Sequence, residues 1–364
     1  MIEFYGIKRF YEKNKLKINE IFKKTLTSGK IFDEEVIEEF EIELSKYCGR
    51  KYCITFSCCT DALICAADIL GLRKRKILVP AYSFVATVTP FKFLECELTF
   101  YDQNPKDFTI NFYDLESKLD KENENIVVIV HLYGYLNDFK TLYELQKKYK
   151  ITYIEDFAQS LGSKYNELPA GSVGLISCVS FDPSKIIHAF GTGGALLTDD
   201  YKLYEKAKKY KYHGKINNNF SNPTGFNSRI TAYQAELLKY QLKNIENYIS
   251  LRNQIANIYI SELKNIPQIK LPEYNQTIRN NFHKFVIMAK KRNELYSYLK
   301  ENNIETKIHY GKIIPDYEAF KEYKNNSNFN IKSVTSQILS LPIYPYLKTE
   351  EIDYIIKKIK NFYK

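Results

Sequence analysis

Between residues 52 and 198 the chain repeats one pattern, a short apolar run followed by a segment long enough for a helix. The runs are 52–56, 76–80, 98–101, 126–130, 152–155, 176–181 and 195–198, and the segments 60–70, 85–94, 113–119 and 139–148 separate the earlier ones. Strands joined by helical crossovers pair in parallel, and the helices then cover both faces of the sheet. The pattern predicts an α/β fold: a three-layer α/β/α large domain on a mostly parallel seven-stranded sheet. The runs after residue 151 lie too close together for such crossovers, so hairpins or an antiparallel strand at one edge are expected there.

The flanks read differently. Residues 13–25 form a helical stretch, and the helix 34–47 carries Val36, Phe40 and Leu44 at helical spacing. Residues 201–251 read as helices broken by a polar loop, 213–228, whose Asn, Gly and Ser suit a surface or an interface. A long helix 232–261, a strand 283–289 and helices 293–302 and 349–363 follow. This tail predicts a smaller C-terminal α+β domain over 245–364, after a large domain over 1–244.

Composition narrows the function. The net charge of +10 is spread over helical faces where lysines alternate with acids, as in 202–212 and 357–364, and no basic stripe interleaves with aromatics, so nucleic acid is not the expected partner. A basic balance does favour an anionic substrate or a phosphate cofactor. The seven cysteines include no CxxC pair, the five histidines show no ligand spacing, and no leader segment is evident; a reduced cytoplasmic setting without a metal is expected. No apolar run is long enough to span a bilayer.

Four short elements could carry chemistry. Ser180-Phe181-Asp182-Pro183-Ser184-Lys185 leaves the end of a predicted strand, where open α/β sheets bind ligands, and Gly191-Thr192-Gly193-Gly194 follows. A desolvated lysine can form a Schiff base, although a lysine after a strand is usually a solvated charge. Asp156 ends another strand, where an acid can pair with a protonated pyridine nitrogen or simply cap the next helix. At Ser57-Cys58-Cys59-Thr60 a strand turns into a helix, which makes either an anion site or a plain N-cap. Phe84, in Pro80-Ala81-Tyr82-Ser83-Phe84, could stack on a planar ring or belong to the core.

The order of these elements resembles the sugar aminotransferases of the DegT/StrS family, which have the aspartate-aminotransferase-like fold (fold type I of pyridoxal-phosphate enzymes). The resemblance runs through "MIEFYGIKRFYE", "GRKYCITFSCCTDAL", "ILVPAYSFVAT", "VVIVHLYG", "IEDFAQSLGSKY", "SFDPSK", "GFNSRITAYQAELL", "NIETKIHY" and "SLPIYPYL". It implies a pyridoxal 5'-phosphate cofactor bound to Lys185 as a Schiff base, with the same lysine shuttling protons. By the same resemblance, Asp156 holds the pyridinium, Gln159 contacts the phenolic oxygen, Phe84 stacks on the ring, and Thr60, the Cys59 backbone and Ser180 hold the phosphate. Asn227, in the Gly225-Phe226-Asn227-Ser228-Arg229 loop, would reach that phosphate from a neighbouring subunit, which implies a homodimer with shared sites. His309 and Tyr310 match the family's substrate-side "HY".

The activity so implied is transfer of an amine, from L-glutamate in the leading reading, to a nucleotide-linked keto-sugar in surface-glycan or amino-sugar biosynthesis. Alternatives are amination of a small phosphorylated or cyclic ketone and a cofactor-binding sensor without turnover. Sugar dehydration belongs to relatives with histidine in place of the lysine, and Lys185 argues against it. The chain departs from the family at Cys58 and Cys59, where Ser and Gly are usual, at Thr192, where an acid is usual, and at Gly311-Lys312-Ile313-Ile314-Pro315 after the "HY".

Overall fold

The computed structural model describes residues 1–216, 219–220, 224–273, 275, 277–326 and 328–364. Its strand Asn125–Val130 shows why the central sheet forms. Every residue of that strand is buried; Ile126 and Val128 enter one apolar core, while Val127 and Ile129 enter another. Strand side chains alternate faces, so a continuous apolar run belongs in a sheet covered on both sides.

The strands β1 (Tyr52–Phe56), β2 (Lys76–Pro80), β3 (Glu97–Tyr101), β4 (Asn125–Val130), β5 (Ile151–Asp156), β6 (Ile176–Ser180) and β7 (Gly194–Thr198) form a seven-stranded sheet in the order β1-β7-β6-β5-β4-β2-β3. Only β7 runs against its neighbours. The antiparallel strand expected at an edge therefore lies one place in. The physical reason is β1, which pairs along the whole of β7, from Tyr52 opposite Thr198 to Phe56 opposite Gly194, and takes up its free edge.

Helices layer both faces. Helix α1 (Ile7–Ser28) is longer than its predicted span, and α2 (Glu34–Tyr47) has acids in its first turn and Lys46 in its last, matching the helix dipole. Helix α3 (Cys59–Ile69) places Ala62, Leu63, Cys65 and Ala66 in the first core. The second core receives Phe40 from α2, Phe139 and Leu142 from α6 (Phe139–Lys148) and Leu238 from α8 (Ala232–Leu242). Helix α6 starts where Asp138 accepts the Lys140 N–H at 2.9 Å. Helices α4 (Thr89–Phe93), α5 (Phe112–Ser117) and α7 (Tyr201–Tyr210) complete this part.

Two predicted helices differ. Residues 85–94 form a 3-10 turn, Val85–Thr87, followed by α4 with Pro90 in its first turn. Proline lacks an N–H and its ring crowds the preceding turn, so a helix can start there but not pass through it. The single helix expected over 232–261 breaks before α9 (Ile245–Leu263). At the break Asn244 Nδ2 donates to the Tyr240 carbonyl at 2.8 Å, while the Asn244 backbone N–H shifts to Gln241 O at 3.0 Å. The side chain has taken the carbonyl that the helix would have used. The predicted loop 213–228 includes residues 217, 218 and 221–223, which lie outside the described residues.

Beyond Asn244, β8 (Ile269–Lys270), β9 (Phe285–Ala289) and β10 (Ile338–Leu341) form an antiparallel sheet in the order β8-β9-β10. Helices α9, α10 (Arg292–Glu301) and α11 (Thr349–Phe362) cover it with Ile255, Leu295, Leu299, Ile355 and Ile359. The amino terminus crosses to this part. Ile2 bridges Ile304, the Phe4 N–H donates to Glu305 Oε2 at 3.0 Å, and Arg9 pairs with Glu351 at 2.5 Å.

Candidate active site

Parallel register brings the carboxyl ends of the strands to one edge: Val130 lies opposite Asp156, and Asp156 opposite Cys178. A cavity of about 670 Å³ opens over that edge. Its walls come from the ends of β5 and β6, the amino end of α3, the turn after β2, the amino-terminal segment and the segments around residues 284 and 310.

Strand alternation sorts the two acids that end β5. Glu155 shares a face with Tyr153, and Asp156 shares the other with Ile154. Glu155 is a structural anchor: His131 Nε2 lies 3.0 Å from Oε1, and the N–H groups of Gly171, Val173 and Gly174 donate to it. Burial would raise its pKa, but these partners hold the carboxyl below its ordinary value. Asp156 faces the cavity. It accepts from Thr87 Oγ1 at 2.7 Å and from the Ala158 N–H at 3.1 Å, and Ser83 Oγ sits 2.7 Å behind Thr87. Burial pushes its pKa up, opposed by those donors and by Lys185.

Lys185 enters from the loop after β6. Asp182 shapes that loop by accepting the Ser184 N–H at 2.9 Å and the Ser184 hydroxyl at 2.7 Å, while the Lys185 N–H donates to the Asp182 carbonyl. Burial lowers the Lys185 pKa, with Asp156, Cys59 and Asp182 acting against it. Desolvation is what a nucleophilic amine requires.

The amino end of α3 forms a third wall. The Asp61 N–H goes to Cys58 Sγ at 3.4 Å and that of Ala62 to the Cys58 carbonyl at 3.3 Å; the Thr60 N–H also turns to the Cys58 thiol, while that of Cys59 has no partner among the described residues. Ser180 stands beside them, opposite Gly194 in register. A Cβ on Gly194 would come within 2.3 Å of Cys59 N and 2.5 Å of the Cys58 carbonyl carbon. This close approach of β7 to α3 is the packing reason for a glycine there. Cys58, where the family usually has Ser, keeps the capping role with sulfur as acceptor.

Phe84 is 51% exposed, yet its ring lines the cavity, 5.9 Å and 32° from that of Tyr310. Gln159 accepts the Tyr133 N–H at 2.9 Å and donates to Tyr310 Oη at 3.3 Å. Tyr82 Oη clamps the Tyr310 backbone, accepting its N–H at 2.7 Å and donating to its carbonyl at 2.9 Å, and Tyr133 Oη donates to the His309 carbonyl. His309 Nδ1 lies 2.9 Å from Ser340 Oγ. Burial, with Lys284, Lys185 and Lys307 nearby, lowers its pKa to about 2, so the ring is neutral.

The cavity thus gathers Lys185, Asp156, Gln159, Phe84, Cys59, Thr60, Ser180, His309 and Tyr310. Asn227 is not among them. It is exposed, and its Oδ1 accepts from Arg229 Nε at 3.1 Å. Its neighbour Ser228 does reach the turn, accepting the Ser57 N–H at 2.9 Å and donating to Asp61 at 2.6 Å. Sequence reading missed Thr87, Tyr5, His283 and Lys284. Only the spacing of Ser83 and Thr87 offered a signal; the others come from segments remote in sequence.

The residues fit a phosphorylated, planar, positively charged heterocycle. The free Cys59 N–H and the Thr60 hydroxyl at a helix start suit a phosphate, a half-exposed aromatic offers a ring face, a buried carboxylate suits a protonated ring nitrogen, and His283 Nδ1 is buried without a hydrogen-bond partner among the described residues. Comparisons with known proteins agree. The model of the DegT/DnrJ/EryC1/StrS aminotransferase family matches residues 12–360. The dTDP-3-amino-3,6-dideoxy-alpha-D-galactopyranose transaminase of Aneurinibacillus thermoaerophilus is 30% identical, over 100% of this chain and 99% of that protein. A solved DegT/DnrJ/EryC1/StrS aminotransferase from Brucella abortus superposes with a TM-score of 0.94 at 27% identity, covering 100% of both chains. NtdA of Bacillus subtilis, solved with bound cofactor PMP, superposes with a TM-score of 0.90 at 26% identity, over 99% of this chain and 84% of that one.

Proposed function

This chain is a member of the DegT/DnrJ/EryC1/StrS aminotransferase family, and we propose that it moves an amino group from L-glutamate to a nucleotide-linked keto-sugar, by a ping-pong route, in surface-glycan or amino-sugar biosynthesis. It is a pyridoxal-phosphate-dependent aminotransferase of fold type I. The observation that carries the reading is Lys185 and Asp156 facing one cavity from aligned strand ends, both desolvated.

When bound, the cofactor supplies an electron sink for the carbon that carries the transferred amine. In this reading Asp156, hydrogen-bonded by Thr87, pairs with the ring nitrogen; Gln159 contacts the phenolic oxygen; and Phe84 lies against the ring. Thr60, the Cys59 N–H and Ser180 hold the phosphate, with Asn227 of the partner subunit completing it in a homodimer. Lys185 Nζ, whose pKa burial lowers, moves the proton at the reacting carbons. His309 and Tyr310, fixed by Ser340, Tyr82 and Tyr133, meet the substrate. The same reading divides the chain near residue 245, at the Asn244 break, and places the enzyme in the cytoplasm, in keeping with its seven free cysteines.

The test is product analysis. Loaded protein, L-glutamate and a panel of dTDP-, UDP- and GDP-linked keto-sugars should release 2-oxoglutarate and one amino-sugar. If only a free or phosphorylated ketone is aminated, the nucleotide-sugar assignment is wrong.

A further inference from the structure

The cavity contains one lysine for which the site as described has no use. Lys284 immediately precedes β9 and is 4% exposed. It lines the cavity together with Lys185. Its Nζ rests 4.5 Å from the ring centre of Tyr5 and 5.2 Å from that of Phe4, and among the described residues it forms no ion pair.

The neighbouring charges are settled. Arg252 donates to the carbonyls of Phe282 at 3.1 Å and Ile343 at 2.8 Å, Lys307 pairs with Glu305 at 2.7 Å, and Asp182 is engaged by Ser184. Of the two lysines lining the cavity, Lys185 is committed to the cofactor carbonyl in the transaminase reading. Lys284 is left as a buried amine without a counter-ion among the described residues, and burial, with Lys185 and Arg252 nearby, holds its pKa well below the ordinary lysine value. An anion that enters the site restores the charged form and pairs with it.

Every amino-acid donor brings that anion. Its carboxylate sits on the carbon that carries the amine, and that carbon must approach Lys185 to react. A carboxylate offers Nζ both an opposite charge and a hydrogen-bond acceptor, which the faces of Tyr5 and of the buried Phe4 do not supply. The carboxylate can take the Nζ while the stem stays against the rings. We propose that Lys284 Nζ binds the α-carboxylate of the amino-acid donor. This assignment rests on the transaminase reading and deepens it: Lys284 sets selection for an amino acid over a simple amine.

The experiment titrates L-glutamate into pyridoxal-phosphate-loaded wild type, Lys284→Met and Lys284→Arg, following loss of the visible cofactor band. Methionine keeps the stem against Tyr5 and Phe4 but removes the charge; should it not take up cofactor, Lys284→Gln is read the same way. The half-saturating glutamate concentration should rise ten- to a hundred-fold in Lys284→Met, fall back most of the way in Lys284→Arg, and leave the unliganded band unchanged. Wild type that bleaches beside a Lys284→Met variant with the same half-saturation overturns the Lys284 assignment alone. So does a defect confined to the keto-sugar half-reaction. Wild type that no amino acid bleaches overturns the transaminase reading and this assignment together.

Discussion

The Thr87 hydroxyl donates to Asp156 Oδ2 at 2.7 Å, and this bond opposes the burial that drives the Asp156 pKa upward. Thr87→Val removes the donor and leaves burial less opposed, so the pKa rises further. The ionised carboxylate exists only above that pKa. The acid limb of the kcat/KM profile should therefore move to higher pH, with roughly a tenfold loss of activity near neutrality, as expected for a hydrogen bond to a charged group. A limb that stays in place would show that Thr87 does not tune Asp156.

Gly194 tests the anion wall. Its Cβ would fall 2.3 Å from Cys59 N, so Gly194→Ala must push the start of α3 away from β7. Overpacking of this kind costs about 1–3 kcal/mol. The melting temperature should drop, and the dissociation constant for pyridoxal phosphate should rise at least tenfold by absorbance titration. Unchanged cofactor affinity would remove this helix end from phosphate binding.

The chain ends are coupled through Arg9 and Glu351, paired at 2.5 Å and largely shielded. The hydrogen bond to Arg9 holds the Glu351 pKa below its ordinary value. A depressed carboxylate pKa adds stability above the unfolded-state value and loses it as pH falls through the folded one. Glu351→Gln should thus cost about 1 kcal/mol at pH 7, and the gap from wild type should close as pH falls through the depressed Glu351 pKa. Melting curves from neutral pH into acid measure it; a gap that stays constant throughout would assign the effect to packing instead.

Much of this was legible in the sequence, for physical reasons that name its limits. The alternation of apolar runs with helical segments is a consequence of burying a parallel sheet on both faces, so β1 to β7 were readable within a residue or so, and Lys185 and Asp156 fell at strand ends by the same logic. Local chemistry that competes with periodicity was not readable: the Asn244 side chain ends a helix whose apolar pattern continues, and Pro90 begins one where a longer helix was expected. Strand β10 was hidden in a proline-punctuated stretch, since its pairing with β9 is set by tertiary contacts. Tyr5 reaches the cavity because the amino terminus crosses to the C-terminal part, and Lys284 because it immediately precedes β9, placements that no spacing announces. Asn227 lies outside the cavity, and only the proposed homodimer would bring it to a phosphate.

The most direct test of the account is the visible spectrum. Protein purified with pyridoxal phosphate should show a yellow band that L-glutamate alone converts to the colourless amine form of the cofactor, and Lys185→Ala should show neither the lysine-linked band nor the conversion while melting like wild type. A band that no amino donor bleaches would contradict transamination, and an unchanged band in Lys185→Ala would remove Lys185 from its centre.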